Sequence, residues 1–208
     1  MGEAIDRLPL FPLGLVLLPE EVVPLHIFEE RYKLLIGECL ESGEEFGIIW
    51  MSDDGLKEVG CTAKVTQVLE QMDDGRMNVL VQGAEPFRLL RRIEDMPYPA
   101  GDVELLDEDE ESPDPDAGEG ARESYADLVE RVTDARPSEK DLAQLDAYGM
   151  AATLDFALDA KQGLLELRSE QRRLERLRAL FGSTLERLEH AERVAEQART
   201  NGHLLPER

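Results

Sequence analysis

Side chains that could carry out nucleophilic chemistry are few in this sequence, and their spacing gives no sign that they meet. The thiols are Cys39 and Cys61, and His26 is a candidate base for either of them. Each cysteine lies among apolar neighbours, where a thiol usually behaves as inert core. We interpret both as buried free thiols in a reducing compartment, and keep a cysteine nucleophile paired with His26 as the alternative.

The motifs of several common enzyme classes are missing from the chain. A phosphate-binding loop needs a lysine directly after glycine, and none of the five lysines follows one. No serine has glycine both two positions before it and two positions after it, and neither Cys-x-x-Cys nor His-Glu-x-x-His occurs. The sequence therefore predicts a protein that is not an enzyme, with no catalytic residues, no metal site and no cofactor.

The overall charge limits the partners that the protein can bind. There are 46 acidic and 23 basic residues, a net charge of −23, which repels nucleic acid and anionic lipid. The densest basic run, Arg88, Arg91 and Arg92, fits the charged surface of a strand. The longest apolar stretch, Leu8–Leu18, is broken by prolines and is shorter than the roughly 20 residues of a membrane span. With no basic signal-peptide start in Met1–Arg7, we predict a cytoplasmic protein without nucleic-acid or membrane partners.

The elements that would position a binding site begin with a β-rich lobe over residues 6–106. An amphipathic helix is predicted over 29–40, where apolar residues recur at three and four positions. Asp74-Gly75 marks a tight turn between two strands. Several short strands around one helix favour a partly closed, barrel-like lobe. The predicted extended segments are Leu8–Leu18, Val22–Ile27, Phe46–Met51, Gly60–Gln71, Arg76–Gln82, Phe87–Ile93 and Val103–Leu106.

The remainder of the chain is predicted to be an acidic linker over residues 107–120 and a helical lobe over 121–200. The linker has almost no apolar side chains and many acids, which is typical of a flexible segment, with an acidic recruitment tail as the alternative. Pro137 is expected to end the first helix, and Ser138 to cap the next. A long helix follows from Leu164, with possible interruptions at Ser169 or Gly182. Its apolar stripe has the spacing of a coiled-coil seam and offers a route to a homo-oligomer: Leu174, Leu177, Phe181, Leu185, Leu188, Ala191, Ala195 and Ala198.

Four segments carry a resemblance to a known family. Leu8–Pro19 reads LPLFPLGLVLLP, and Val23–Tyr32 reads VPLHIFEERY. Val59–Val65 and Asp74–Gly83 match a later strand and hairpin in the same order. Together the segments resemble the N-terminal substrate-binding domain of the Lon protease, over about residues 6 to 190.

The resemblance implies an α+β fold, in which a PUA-like, β-barrel-like lobe precedes a C-terminal α-helical bundle with a long final helix. It also implies binding of unfolded or degron-bearing polypeptides in protein quality control. In the full protease an ATPase and a peptidase follow this domain, whereas this chain ends at Arg208. We therefore expect a stand-alone, non-catalytic adaptor, with a protease ATPase as a candidate partner.

Five residues are candidates for peptide contacts. Glu30, Arg31 and Tyr32 lie at the start of the predicted helix, and Trp50 and Met51 lie at a strand end. The alternatives are core packing for Trp50 and solvated surface for Glu30 and Arg31. A peptide could add to a sheet edge or enter an apolar groove between the lobes. The alternative functions are small-molecule binding and oligomerisation in a structural role.

Overall fold

A computed structural model of the protein describes residues 2–109 and 114–202, with side chains up to residue 197. The chain forms two compact units, and each is built from two stretches of sequence. The first unit comprises Met1–Glu111 and Asp146–Glu170, and the second comprises Ser112–Leu145 and Gln171–Arg208.

The first unit contains a six-stranded mixed sheet. Its strands are β1 (Ala4–Leu13), β2 (Val22–Ile27), β3 (Phe46–Ser52), β4 (Gly55–Gln71), β5 (Met77–Ile93) and β6 (Ala100–Leu105). The strand order is β2-β5-β4-β3-β1-β6, and β5 also pairs with β6. Strands β5, β4, β3, β1 and β6 therefore close into a ring, with β2 added along β5. The β1–β3 pair is parallel, and the other pairs are antiparallel.

The interior of this closed ring of strands is filled around the aromatic side chain of Phe87, which is fully buried. Phe87 packs in one cluster with Leu8, Leu10, Ile49 and Val103. Glycine is required on the two strands that face it, because a Cβ on Gly47 would lie 2.8 Å from the Phe87 ring and one on Gly60 would lie 2.5 Å from it. Small residues on β3 and β4 thus leave room for one aromatic side chain in the centre of the ring.

The first unit also contains α1 (Glu30–Ser42), α4 (Ala147–Ala152) and α5 (Leu158–Leu165). α1 buries Tyr32, Leu35 and Ile36 on the face that the periodicity predicts, and it ends at Gly43 in the left-handed conformation. α5 is fixed to the strands by polar contacts. Lys161 forms a buried ion pair with Glu21. Gln162 Nε2 donates to the Val59 carbonyl at 3.2 Å.

The second unit consists of α2 (Pro115–Thr133), α3 (Glu139–Leu142) and most of α6 (Glu170–Gly202). α2 and α6 meet through Tyr125 and Phe181, whose ring centroids are 5.7 Å apart. The predicted cap at Ser138 is confirmed, because its Oγ accepts the Asp141 N–H at 3.2 Å. The long helix begins after the break at Ser169, and Gly182 does not interrupt it.

The expected linker over residues 107–120 is wrong at its C-terminal end. Asp114 accepts the Asp116 N–H at the N-cap and Pro115 occupies the first helical turn, so 115–120 begin α2. Residues 110–113 lie outside the described part of the chain. Gly118 and Ala121 are buried although their side chains are small or absent. The start of α2 has few apolar side chains because small residues allow close helix packing there. A flexible linker has a similarly low apolar content, so composition alone does not tell the two apart.

Three other expectations differ from the structure. The strands expected at Arg76–Gln82 and Phe87–Ile93 are one strand, β5, which begins at Met77 and pairs with β4 along both halves. Its first half also pairs with β2 and its second half with β6. The first helix of the expected helical lobe ends at Thr133, where Asp134 adopts a positive φ of 59°, before Pro137 is reached. Asp146–Glu170, expected in the helical lobe, belongs to the first unit.

Candidate functional site

The cysteines and His26 are separate in the structure and do not form a nucleophilic site. Cys39 is buried on α1, and burial, with the nearby acids Glu38 and Glu44, raises the pKa of its thiol to about 11. Cys61 is fully buried on β4, where burial raises its thiol pKa even further. His26 Nδ1 lies 2.7 Å from Asn78 Oδ1 on the outer face of β2. These thiols are therefore held protonated, and the alternative of a cysteine nucleophile paired with His26 receives no support.

The concave surface of interest is a groove beside the connection between β5 and β6. It encloses about 330 Å³ and is referred to below as the β5–β6 groove. Most of its lining is apolar, with two arginines and one glutamate on it. The lining residues are Leu10, Pro12, Arg31, Leu56, Arg92, Ile93, Glu94, Met96, Pro97, Tyr98, Pro99 and Ala100.

The β5–β6 connection is held in place by proline and by a hydrogen bond to α1. Pro97 and Pro99 restrict the backbone on either side of Tyr98, and the Pro99 carbonyl accepts the Leu10 N–H at 2.7 Å. The Tyr98 hydroxyl donates to Glu38 Oε2. Burial, followed by this hydrogen bond, raises the pKa of Tyr98 to about 12. One wall of the groove is thus attached both to β1 and to α1.

The α1 side of the groove is a stack of three side chains. The Arg31 guanidinium carbon lies 4.6 Å from the centroid of the Tyr32 ring, and the Tyr32 ring stacks on Phe11 with centroids 4.0 Å apart. Arg31 also pairs with Glu29, with 2.7 Å between Nη2 and Oε2. Burial raises the pKa of Tyr32. Arg31 is therefore pre-positioned at the groove by an aromatic face and a carboxylate.

The five predicted contact residues have different places in the structure. Arg31 lines the groove, and Tyr32 is buried beneath it. Glu30 is not one of the lining residues and pairs with Lys33, with 2.8 Å between the Lys33 Nζ and the Glu30 Oε1. Trp50 is half-buried near the end of β3, beneath the Lys57 ammonium group, which lies 5.1 Å from the centroid of its indole ring.

Met51 is 47% exposed and is the cross-strand neighbour of Leu56, which lines the groove. Trp50 pairs in the same way with Leu13, next to the lining residue Pro12. The predicted residues at the helix start (30–32) and those at the strand end (50–51) therefore lie at the same end of the sheet. Arg92 and the segment Met96–Ala100 are missing from the prediction, although the Met-Pro-Tyr-Pro sequence was a signal for a rigid connection.

A second apolar surface follows β2, which pairs only with β5 in the described part of the chain. Phe28 is 59% exposed just beyond the strand, and its ring stacks on His26 at 5.8 Å. Val22 and Leu69 are exposed nearby along the same region of the sheet. Pro24 lies in the middle of β2 and has no N–H to offer to an added strand. This edge is less suited to backbone pairing than an edge of free amides.

The described residues contain neither a metal-ligand cluster nor a membrane-spanning helix. Among them no group of three or more His, Cys, Asp or Glu side chains is arranged to hold a metal ion. None of their helices is long and apolar enough to cross a membrane.

The sequence matches a model of a known protein family over most of its length. The model of the substrate-binding domain of ATP-dependent protease La (Lon) matches residues 7–181. The chain belongs to this Lon family. The match includes parts of both units and all of the groove residues.

Individual Lon proteases and solved Lon domains agree with this membership. The chain is 26% identical over 193 residues to the Lon protease of Flavobacterium johnsoniae. This alignment covers 82% of this chain and 23% of that protein. It is 27% identical to Lon protease 1 of Syntrophobacter fumaroxidans, covering 93% of this chain and 26% of that one. The chain therefore spans about a quarter of the length of the curated relatives that it matches.

Two solved structures have the same fold. The crystal structure of a Lon N-terminal domain protein from Xanthomonas campestris superposes with a TM-score of 0.66 at 27% identity, covering 84% of this chain and 98% of that one. The N-terminal domain of a Mycobacterium avium complex Lon protease superposes with a TM-score of 0.64 at 21% identity, covering 85% and 98%. The six-stranded mixed sheet followed by a long final helix is thus the Lon N-terminal domain fold.

Proposed function

We propose that this protein binds unfolded or degron-bearing polypeptides, and that it does so without catalysis, as an adaptor in protein quality control. The support comes from membership of the Lon substrate-binding domain family over residues 7–181. The matched region is the substrate-binding domain alone, and neither a phosphate-binding loop nor a nucleophile elbow occurs in the sequence.

The observation that carries the proposed site is the apolar lining of the β5–β6 groove. Unfolded polypeptides differ from folded ones in exposing apolar side chains, and a groove lined by Leu10, Ile93 and Met96 removes such a side chain from water. The groove is preferred to the β2 edge because Pro24 interrupts the row of donors that strand addition uses. Trp50 and Met51, the strand partners of Leu13 and of the lining residue Leu56, would contact the polypeptide beside the seated residue.

The cellular setting is part of the same proposal. A protease ATPase would receive the bound polypeptide, and the buried free thiols Cys39 and Cys61 fit a reducing cytoplasm. Such an adaptor requires that the ATPase be present in the same compartment. Co-purification of the tagged protein with an ATPase, stable to washing and lost when unfolded polypeptide is depleted, would support this step.

The proposal is tested with a permanently unfolded, carboxymethylated protein carrying a fluorophore, titrated with the purified chain and followed by anisotropy. Saturable binding to the wild type is expected. Met96→Glu places a charge in the groove and should weaken binding about tenfold or more, because the charge must be desolvated when the apolar side chain enters. Leu90→Glu is the matched control, since Leu90 is 58% exposed on β5 and is not part of the groove lining. Equal affinities of the two variants for the unfolded protein would show that the binding site lies elsewhere. The absence of any binding by the wild type would refute the proposal.

Small-molecule binding is the second candidate, and the groove volume favours it. About 330 Å³ is at the lower end of the roughly 300–1,000 Å³ that ligand pockets enclose. A metabolite that survives purification and is released on denaturation, as measured by native mass spectrometry, would support this function. Displacement of that metabolite by an unfolded polypeptide would show that both use the same groove.

Oligomerisation in a structural role is supported by exposed apolar side chains in the second unit. Val132 of α2 is 63% exposed, and Val194 of α6 is 50% exposed. Burial of the predicted seam ends at Phe181, and Leu185 and Leu188 are half-buried. Sedimentation measurements over a range of concentrations test whether these side chains bring two chains together.

A further inference from the structure

We propose that the β5–β6 groove selects the C-terminus of its polypeptide: an apolar last residue in the groove with its α-carboxylate on Arg92. This inference rests on the proposed function and names the class of polypeptide that the groove accepts. It follows from the position of Arg92, from the pairing of the charges around the groove, and from the size of the groove.

The register of β5 and β6 places Arg92 on the side of the sheet that holds the groove. Arg92 pairs directly with Gly101. A Cβ on Gly101 would lie 2.4 Å from Leu89 Cδ1 and 3.1 Å from Leu10 Cδ1, so Gly101 faces these core side chains. Directly paired residues project from the same face of a sheet. Arg92 therefore projects on the Leu10 side and lines the open end of this face.

Arg92 differs from the neighbouring arginines in having no carboxylate of its own. Arg31 pairs with Glu29, and Arg91 pairs with Asp102 at 2.6 Å between Nη2 and Oδ2. In the described part of the chain, Arg92 makes no side-chain hydrogen bond or ion pair. The groove lining carries Arg31, Arg92 and the single acid Glu94. After the pairing of Arg31, Arg92 is the cation left to bind an anionic group in a chain of net charge −23.

The chemistry of the groove specifies which anion fits. A guanidinium group binds a carboxylate through two parallel hydrogen bonds. The surrounding Leu10, Ile93 and Met96 require an apolar side chain beside that carboxylate, which excludes a free inorganic anion or an acidic side chain in a polar segment. A C-terminal residue supplies both groups on one carbon atom, its Cα. The small volume favours a chain end, because an internal segment must both enter and leave the groove. The positive charge of Arg92 also disfavours an N-terminal ammonium group in the groove.

Three synthetic peptides with a common apolar sequence and an N-terminal fluorophore test the inference by anisotropy. The first ends in a leucine with a free carboxylate, the second is its C-terminal amide, and the third continues past the leucine with Gly-Ser-Gly. The full-length wild-type chain is expected to bind the free acid about tenfold more tightly than the amide or the extended peptide. Arg92→Gln should reduce this preference to less than about twofold. Arg88→Gln removes the same charge from an exposed site on the same strand and should keep the preference.

Each other outcome overturns a defined part of the reasoning. Equal binding of the three peptides to the wild type refutes the C-terminal preference and leaves the proposed function in place. A preference that survives in Arg92→Gln refutes the role of Arg92. Absence of binding by every peptide, together with absence of binding by the carboxymethylated unfolded protein, refutes both the inference and the proposed function.

Discussion

The buried ion pair between Lys161 and Glu21 gives the most quantitative prediction for stability. The Lys161 and Glu21 side chains are only 10% and 11% exposed, and the pair joins α5 to the segment between β1 and β2. Glu21 Oε2 also accepts the Leu18 N–H at 3.0 Å. Lys161→Met removes the cation and leaves this carboxylate buried without its partner.

Removing one partner of a buried pair costs about 3–5 kcal/mol. Because each side chain retains about a tenth of its exposure, the lower end, about 3 kcal/mol, is expected for Lys161→Met. Adding Glu21→Gln removes the unpaired charge and keeps an oxygen to accept the Leu18 N–H. The double variant should therefore be more stable than Lys161→Met by at least about 1 kcal/mol.

The assay is equilibrium unfolding in urea followed by the fluorescence of Trp50, the only tryptophan in the chain. Trp50 lies in the first unit, so its signal reports the unit that contains the ion pair. Lys64→Met, at an exposed position on β4, is the control and should change the free energy of unfolding by less than about 0.5 kcal/mol. A Lys161→Met effect no larger than the Lys64→Met effect, or a double variant less stable than the single one, would refute the reasoning.

Three further predictions follow from burial and charge. Cys39 and Cys61 in the native protein should react with Ellman's reagent roughly a hundredfold more slowly than in guanidinium chloride. The rise in the pKa of Cys39 from 9.0 to about 11 lowers its thiolate fraction by that factor, and Cys61 is more deeply buried. Comparable rates in the two conditions would contradict the burial of the thiols. Tyr98 has its pKa raised from 10.0 to about 12, so its contribution to stability is complete below pH 10 and is lost as the pH rises towards 12. The stability difference between wild type and Tyr98→Phe should accordingly shrink over that range in urea titrations, and a difference that grows would be the wrong sign. Truncation after Gly182 removes residues 183–208, and none of the side chains of 183–197 is fully buried, so the thermal unfolding midpoint measured by circular dichroism should shift by less than about 4 °C. A larger shift would show that this half of α6 supports the fold.

The local elements could be predicted from the sequence because each is specified by neighbouring residues. The alternation along β5 and the three-and-four spacing of α1 mark one buried face in each element. Asp74-Gly75 sits in a turn in which the Gly75 N–H donates to Met72, and Gly75 has a φ of 79°. The cap at Ser138 is similarly local. These features need no knowledge of distant contacts.

The features that were missed depend on contacts between distant parts of the chain. Asp146–Glu170 returns to the first unit, and its anchor, Lys161, is a charged residue that composition assigns to solvent. Ring closure depends on the pairing of β5 with β6, and the groove depends on which face Arg92 shares with Gly101. Of the candidate site, the sequence predicted the α1 side through Arg31 and Tyr32, but not the opposite wall at Met96–Ala100.

Photo-cross-linking tests the central claim, polypeptide binding in the β5–β6 groove, most directly. An apolar peptide with a benzophenone amino acid beside its C-terminal leucine would be irradiated with the wild-type chain, and the adducts mapped by mass spectrometry. Adducts on Met96 and its neighbours in 92–100 are predicted, with competition by unlabelled peptide and loss of cross-linking in Met96→Glu. Adducts that compete equally well but map to the β2 edge around Phe28 and Leu69, or to α6, would contradict the assignment of the site.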